Sequence, residues 1–199
     1  PEAKGFLNVA TPPRLSLVPD SSFPVGYGGK GGMNITIKSK TPLHGFTMWA
    51  GREDSPGRAT AILEDLEVPA QLPDCTIERK QITAECPPIH AAHPKPGGNM
   101  ITKLCGALEA VVRPEDRHIM EFFKMVSLCI DGEALGIKTV SQKMGDLTTY
   151  AKAVTMVDGC PAITVNIRFP IEITYDEIVE NVGKVAEKWG FEVHRAPRG

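Results

Sequence analysis

The stretch TTYAKAVTMVDGCPAITVNIRFP, residues 148–170, decides the fold. Two runs with strand-forming composition, 148–157 and 161–168, flank Asp158-Gly159. That dipeptide favours the positive-φ turn that joins two antiparallel strands. A long hairpin is therefore predicted in the C-terminal half of the chain.

Beyond Pro170, Thr174 and Glu177 have capping-box spacing, and Ile178, Val182, Val185, Ala186 and Trp189 make one helix face that ends at Gly190. FEVHR, residues 191–195, reads as a last strand. Towards the N-terminus, Pro114 suits a first helical turn, and Ile119, Met120, Phe122, Phe123, Val126 and Cys129 give a helix over 115–130. A further helical period follows Gly98, carried by Met100, Ile101, Leu104, Cys105, Leu108, Val111 and Val112. TIERKQITAE, residues 76–85, reads as a half-exposed strand. With the helix at 115–130 set aside, residues 76–196 spell strand, helix, strand, strand, helix, strand. The expectation is an α+β fold: a ferredoxin-like βαββαβ core with extra strands and one extra helix.

The segments GGMNITIKS (31–39) and GFTMWA (45–50) read as strands of a small sheet, punctuated by Gly and Pro. Residues 1–24 hold five of the 17 prolines and no amphipathic period, and are expected to be extended. This divides the chain into 1–24, 25–75 and 76–199.

Charge and cysteine usage narrow the function classes. With 22 basic and 24 acidic residues, the net charge of -2 gives no electrostatic footprint for nucleic acid or an anionic membrane. No apolar run approaches the roughly 20 residues of a membrane span, and no basic-then-apolar leader opens the chain. The five cysteines lack CxxC spacing, which argues against a disulfide framework or a zinc ribbon and for reduced, buried thiols in the cytoplasm. A small-molecule or protein partner is expected, and a start at Pro1 suggests a piece of a longer chain.

Three stretches bear on chemistry. GYGGKGG, residues 26–32, lacks the spacing of a phosphate loop and reads as a turn between strands. In HAAHPKPGGN, residues 90–99, His90 and His93 stand three apart, but Pro94 and Pro96 preclude a regular helix. Loop histidines are favoured there over zinc ligands. Arg168, just before the Pro that ends an apolar strand, either faces solvent or offers its planar fork to a carboxylate.

These stretches also occur together in one known pattern. HAAHPKPGGNMITKL resembles the lid-domain signature of the zinc aminopeptidase, carboxypeptidase and aminoacylase superfamily, with His90, Ala91, Pro94, Gly97, Asn99 and Ile101 matching. LVPDSSFPVGYGGKG is similar to the Pro-Asp-x-x-Phe-Pro-Val segment of its dipeptidase branch, which includes the bacterial Xaa-His dipeptidases. MGDLTTYAKAV and VNIRFP are similar to that branch's Gly-x-Leu-Thr-x-Asn and Ile-Arg-Tyr-Pro strands. Four blocks thus follow the family's order over about residues 15–190.

The resemblance implies a lid with a ferredoxin-like core, inserted into a catalytic domain that holds two zinc ions. It places a zinc ligand at Asp20, an oxyanion donor at His90 and a carboxylate clamp at Arg168, and leaves His93 a bystander. Asn99 and Asp54 are the further substrate-binding candidates. Asp54 stands where the family's Arg-Glu-Asn segment has its substrate-contacting Asn, Tyr150 stands where the Thr-x-Asn strand has Asn, and Gly29 replaces a Glu. The upstream His-x-Asp, the Glu-Glu pair and the downstream His of the zinc centre have no counterpart here. The resemblance therefore implies the lid of a cytoplasmic zinc dipeptidase acting on dipeptides or related N-acyl amino acids, inactive alone and monomeric. The alternative is a stand-alone ferredoxin-like binding or oligomerisation module with incidental histidines.

Overall fold

The computed structural model describes residues 29–87 and 98–195. Among these residues, eight strands and three α-helices follow one another: β1 (Gly31–Ser39), β2 (Phe46–Arg52), β3 (Ser55–Leu63), β4 (Cys75–Glu78), β5 (Gln81–Glu85), α1 (Met100–Leu108), α2 (Arg117–Leu128), β6 (Thr148–Val157), β7 (Cys160–Phe169), α3 (Tyr175–Lys188) and β8 (Phe191–Arg195). The architecture is α+β. The strands form one eight-stranded sheet in the order β4-β5-β3-β2-β6-β7-β1-β8, and every neighbouring pair is antiparallel.

The central hairpin is the one expected from Asp158-Gly159. Both residues have positive φ, 53° and 76°, and β6 pairs with β7 from Thr148↔Arg168 to Val157↔Cys160. Helix α3 starts at Thr174, whose hydroxyl accepts the Glu177 N–H, while the Glu177 carboxylate accepts the Thr174 N–H at 2.8 Å.

The expected strand over 76–85 is corrected. Arg79 takes a left-handed φ of 57°, so the run folds into the hairpin β4–β5. That hairpin forms the far edge of the sheet, and the place beside β7 belongs to β1, which also pairs with β8. Strand β3 was not foreseen, because Ser55-Pro56-Gly57 at its start reads as turn chemistry.

Strand side chains alternate between two faces. Met33, Ile35 and Ile37 of β1, with Ile163, Val165 and Ile167 of β7, lie on the covered face. There they pack in one core with Leu104, Phe122, Phe123, Ile178 and Val182 of the helices. Phe191 of β8 stacks on Phe122 at 4.2 Å between ring centroids. Asp116, only 1% exposed, accepts from the His44 backbone N–H at 3.1 Å and contacts its ring Nδ1 at 2.9 Å, which ties the β1–β2 connection to the start of α2. No helix among the described residues is long and apolar enough to cross a membrane.

Candidate functional site

The other face of the sheet is polar and carries Arg168. The register sets Gly32, Arg168 and Thr148 in one row across β1, β7 and β6, and Asn34, Asn166 and Tyr150 in the next. Thr36 and Thr164 follow, with their hydroxyls 3.1 Å apart. Asn166 donates to Asn34 Oδ1 at 2.8 Å.

Arg168 lies flat across the neighbouring strand. A Cβ at Gly32 would stand 2.5 Å from Arg168 Nη1 and 3.2 Å from its Cζ, so the guanidinium occupies the space that only glycine leaves open. Among the described residues, three buried polar atoms have no hydrogen-bond partner: Arg168 Nε, Thr148 Oγ1 and Asn166 Oδ1. They sit within two adjacent rows of one face. Unpaired buried polar groups are costly, about 1–3 kcal/mol each, which makes this cluster the least satisfied polar part of the described sheet. No described carboxylate forms an ion pair with Arg168. A planar guanidinium has the geometry to take a bidentate acceptor.

Tyr150 stands diagonally from Arg168 and is half-buried. Burial first, and the neighbouring Cys86 sulfur second, raise its hydroxyl pKa, so it remains a neutral phenol at physiological pH.

The strand ends bring the other candidates to the same end of the sheet. Arg168 closes β7, Thr148 opens β6, and Asp54 lies in the turn between β2 and β3. By the strand order, β7 and β2 are two strand spacings apart, about 10 Å. Asp54, exposed, accepts from the Ser55 hydroxyl at 3.1 Å. It lines an open groove of about 310 Å³ with Gly57, Arg58, Glu85 and Cys86. Arg58 and Glu85 bridge that groove at 2.7 Å, and Arg52 lies 4.6 Å over the ring of Trp49 nearby.

Asn99 has a structural role. Its side-chain oxygen caps α1 by accepting the Ile101 N–H at 2.8 Å, and its amide donates to the Ala151 carbonyl at 2.7 Å. At 3% exposure it ties α1 to β6 rather than presenting a free amide. His90 and Asp20 lie outside the described residues, as does His93. Cys86, whose N–H bonds Gly57 O at 2.9 Å, and Asn99 lie at the same end of the sheet as Arg168.

Among the described residues, no three His, Cys, Asp or Glu side chains gather in metal-binding geometry. The described donor set does not fit a zinc centre. The described Cys105, fully buried, has its thiol pKa pushed well up by desolvation and is not a candidate ligand.

Sequence reading identified Arg168 but not the side chains that build its surroundings. Gly32, Thr148 and Asn166 belong to it, and their only signal is the two-residue alternation Thr148, Tyr150 and Asn166, Arg168 on facing strands. That pairing becomes visible once the register is known.

No protein-family model matches this chain, and a search of curated proteins finds no match. The chemical reading rests on the open face itself. A guanidinium fork is the group on this face whose chemistry matches a carboxylate.

Proposed function

We propose that this chain is the substrate-capping lid of a zinc-dependent dipeptidase that hydrolyses dipeptides or related N-acyl amino acids. The observation that carries the proposal is Arg168, a buried-stem cation laid over Gly32 among unpartnered polar atoms. A guanidinium fixed in this way suits a free C-terminal carboxylate, which distinguishes a dipeptide from an internal peptide bond.

The strand order supports a ferredoxin-like core. In β6-β7-β1-β8, strand β1 serves as the first strand of βαββαβ, α1 and α2 lie in the first crossover and α3 in the second. Strands β2 to β5 then extend the sheet beyond β6.

On this reading the chain's own residues bind and orient. Arg168 holds the carboxylate, so the scissile carbonyl lies at a fixed distance from it. His90 donates to the carbonyl oxygen as negative charge develops there, and Asp54 approaches the ligand from the β2–β3 turn. Asp20 is assigned to the metal centre, and zinc to the parent's catalytic part rather than to the described residues. The chain alone is expected to be inactive, with the catalytic part of the parent as its partner and no second copy of itself.

The test is His90→Ala in the parent enzyme. Turnover should fall roughly 100- to 1000-fold, the usual consequence of losing one oxyanion donor, with zinc content unchanged. Lost zinc with a normal rate per zinc contradicts the role of His90. Robust dipeptide hydrolysis by the isolated chain with stoichiometric zinc contradicts the lid assignment.

A stand-alone ferredoxin-like binding module is the second reading. It is favoured by the Arg168 constellation being assembled from β1, β6 and β7 alone. A parent without dipeptidase activity whose Arg168 still binds carboxylates would decide for it.

A further inference from the structure

Clustered apolar side chains left in water mark a surface that something else covers. Ile171, at 78% exposure, and Val140, at 67%, are the most exposed large apolar residues described. They come from two turns that one bond joins. The Ser141 hydroxyl donates to the Glu172 carboxylate at 2.9 Å, so the turn before β6 lies against the turn between β7 and α3. Where these turns meet the start of β1 there is an open groove of about 330 Å³, lined by Gly29, Met144, Phe169, Pro170, Ile171 and Ile173. No described residue of its lining is charged. The Phe169 ring is laid over Gly31 so closely that a Cβ there would stand 2.6 Å from its Cζ.

The described chain begins at the rim of this groove. Gly29 lines it, and Lys30 donates to the Asp146 carbonyl, which holds the entry to β1 beside the same turn. The preceding stretch SSFPVGYGG, residues 21–29, has no charged side chain and sets Phe23, Val25 and Tyr27 at alternate positions. Alternate residues of an extended chain share one face. A chain gains at most about 3.3–3.6 Å per residue, so Tyr27 lies within about 7 Å of Gly29 and Val25 within about 14 Å. A tether this short raises the segment's local concentration to the millimolar range, ahead of a second copy at ordinary concentrations.

We propose that the groove is the docking site of the chain's own residues 23–27, whose apolar face covers Phe169 and Ile171. Docking there holds the approach to Asp20 at the end of the sheet where β7 carries Arg168. The proposal stands whether or not Arg168 takes a carboxylate.

The experiment is photo-crosslinking of the 199-residue protein with p-benzoyl-L-phenylalanine in place of Phe23, mapped by peptide mass spectrometry. Irradiation should join position 23 to Met144 or to residues 169–173 within one chain. Ile171→Asp should abolish that product, because an unpaired carboxylate is costly to cover, while the exposure of Ile171 spares the core from the change. A crosslink confined to other regions, no crosslink at all, or a yield that survives Ile171→Asp overturns the proposal. A product of twice the mass that joins the same peptides in two chains also overturns it and assigns the groove to a second copy.

Discussion

Gly32→Ala places a methyl group where the Arg168 guanidinium lies. The new Cβ would stand 2.5 Å from Nη1, 3.2 Å from Cζ and 3.5 Å from Cδ. Since favourable carbon contacts begin at about 3.5 Å, the guanidinium must move by about 1 Å. What it strikes is the far end of a flexible side chain and no backbone atom, so the strand itself is not forced apart. Alanine also suits a strand better than glycine by about 0.5–1 kcal/mol, which offsets the rotamer change. Stability should therefore stay within about 1 kcal/mol of wild type. Carboxylate binding should not survive as well. Displacing a bidentate fork forfeits about 1.5–3 kcal/mol of charge-assisted hydrogen bonding, which is roughly 10- to 100-fold in Kd. Urea unfolding measures the first quantity, and titration with N-acetylglycine measures the second. A folded Gly32→Ala protein that binds N-acetylglycine as tightly as wild type would refute the close approach as the basis of the site. A protein that unfolds would refute the claim that only the side-chain tip is struck.

Three further outcomes follow from the same structure. Gly51→Ala should destabilise the protein by about 2–5 kcal/mol in urea unfolding, because its φ is 65° and its Cβ would meet the Lys152 carbonyl oxygen of the neighbouring strand, with the Lys152 carbonyl carbon at 2.9 Å. Asn99→Ala should cost about 2–4 kcal/mol by the same assay, since it removes the α1 cap and leaves the Ala151 carbonyl without its partner beside the irregularity at Ala151/Ala153. Asp131 is held down to about 2 by its hydrogen bond to Lys138, then by the Glu133 N–H and the Cys129 thiol. A depressed carboxylate stabilises the fold above its unfolded pKa near 4 and loses that contribution as pH falls towards 2. Wild type should therefore lose stability faster than Asp131→Asn between about pH 4 and pH 2 in pH-dependent urea unfolding, by a small margin because the Asp131 side chain is 42% exposed and water screens the pair.

What was legible in the sequence was local. Asp158-Gly159 can only turn the chain sharply, and Thr174 with Glu177 can only start a helix, so the β6–β7 hairpin and α3 follow from their residues. The amphipathic faces of 100–108 and 117–128 reveal their helices in the same way. Pairing was not legible, because it is decided between residues far apart in the chain. β1 lies between β7 and β8, more than 100 residues away, and nothing within GGMNITIKS states which strand it joins. The break at Arg79 was missed because a left-handed arginine has no composition signature. The candidate site follows the same division. Arg168 was visible as a charge ending an apolar strand, whereas the space above Gly32 and the unpartnered Thr148 and Asn166 exist only through the register.

The central claim is that Arg168 takes a ligand carboxylate, and its buried, unpartnered Nε gives a direct probe. Proton–nitrogen correlation spectra of the guanidinium groups, recorded during titration with N-acetylglycine, should show one Nε–H resonance moving downfield to saturation. That resonance should be missing in Arg168→Gln and should not respond to the neutral N-acetylglycinamide. A spectrum in which the Arg168 resonance stays still, or in which acid and amide move it alike, would contradict the account.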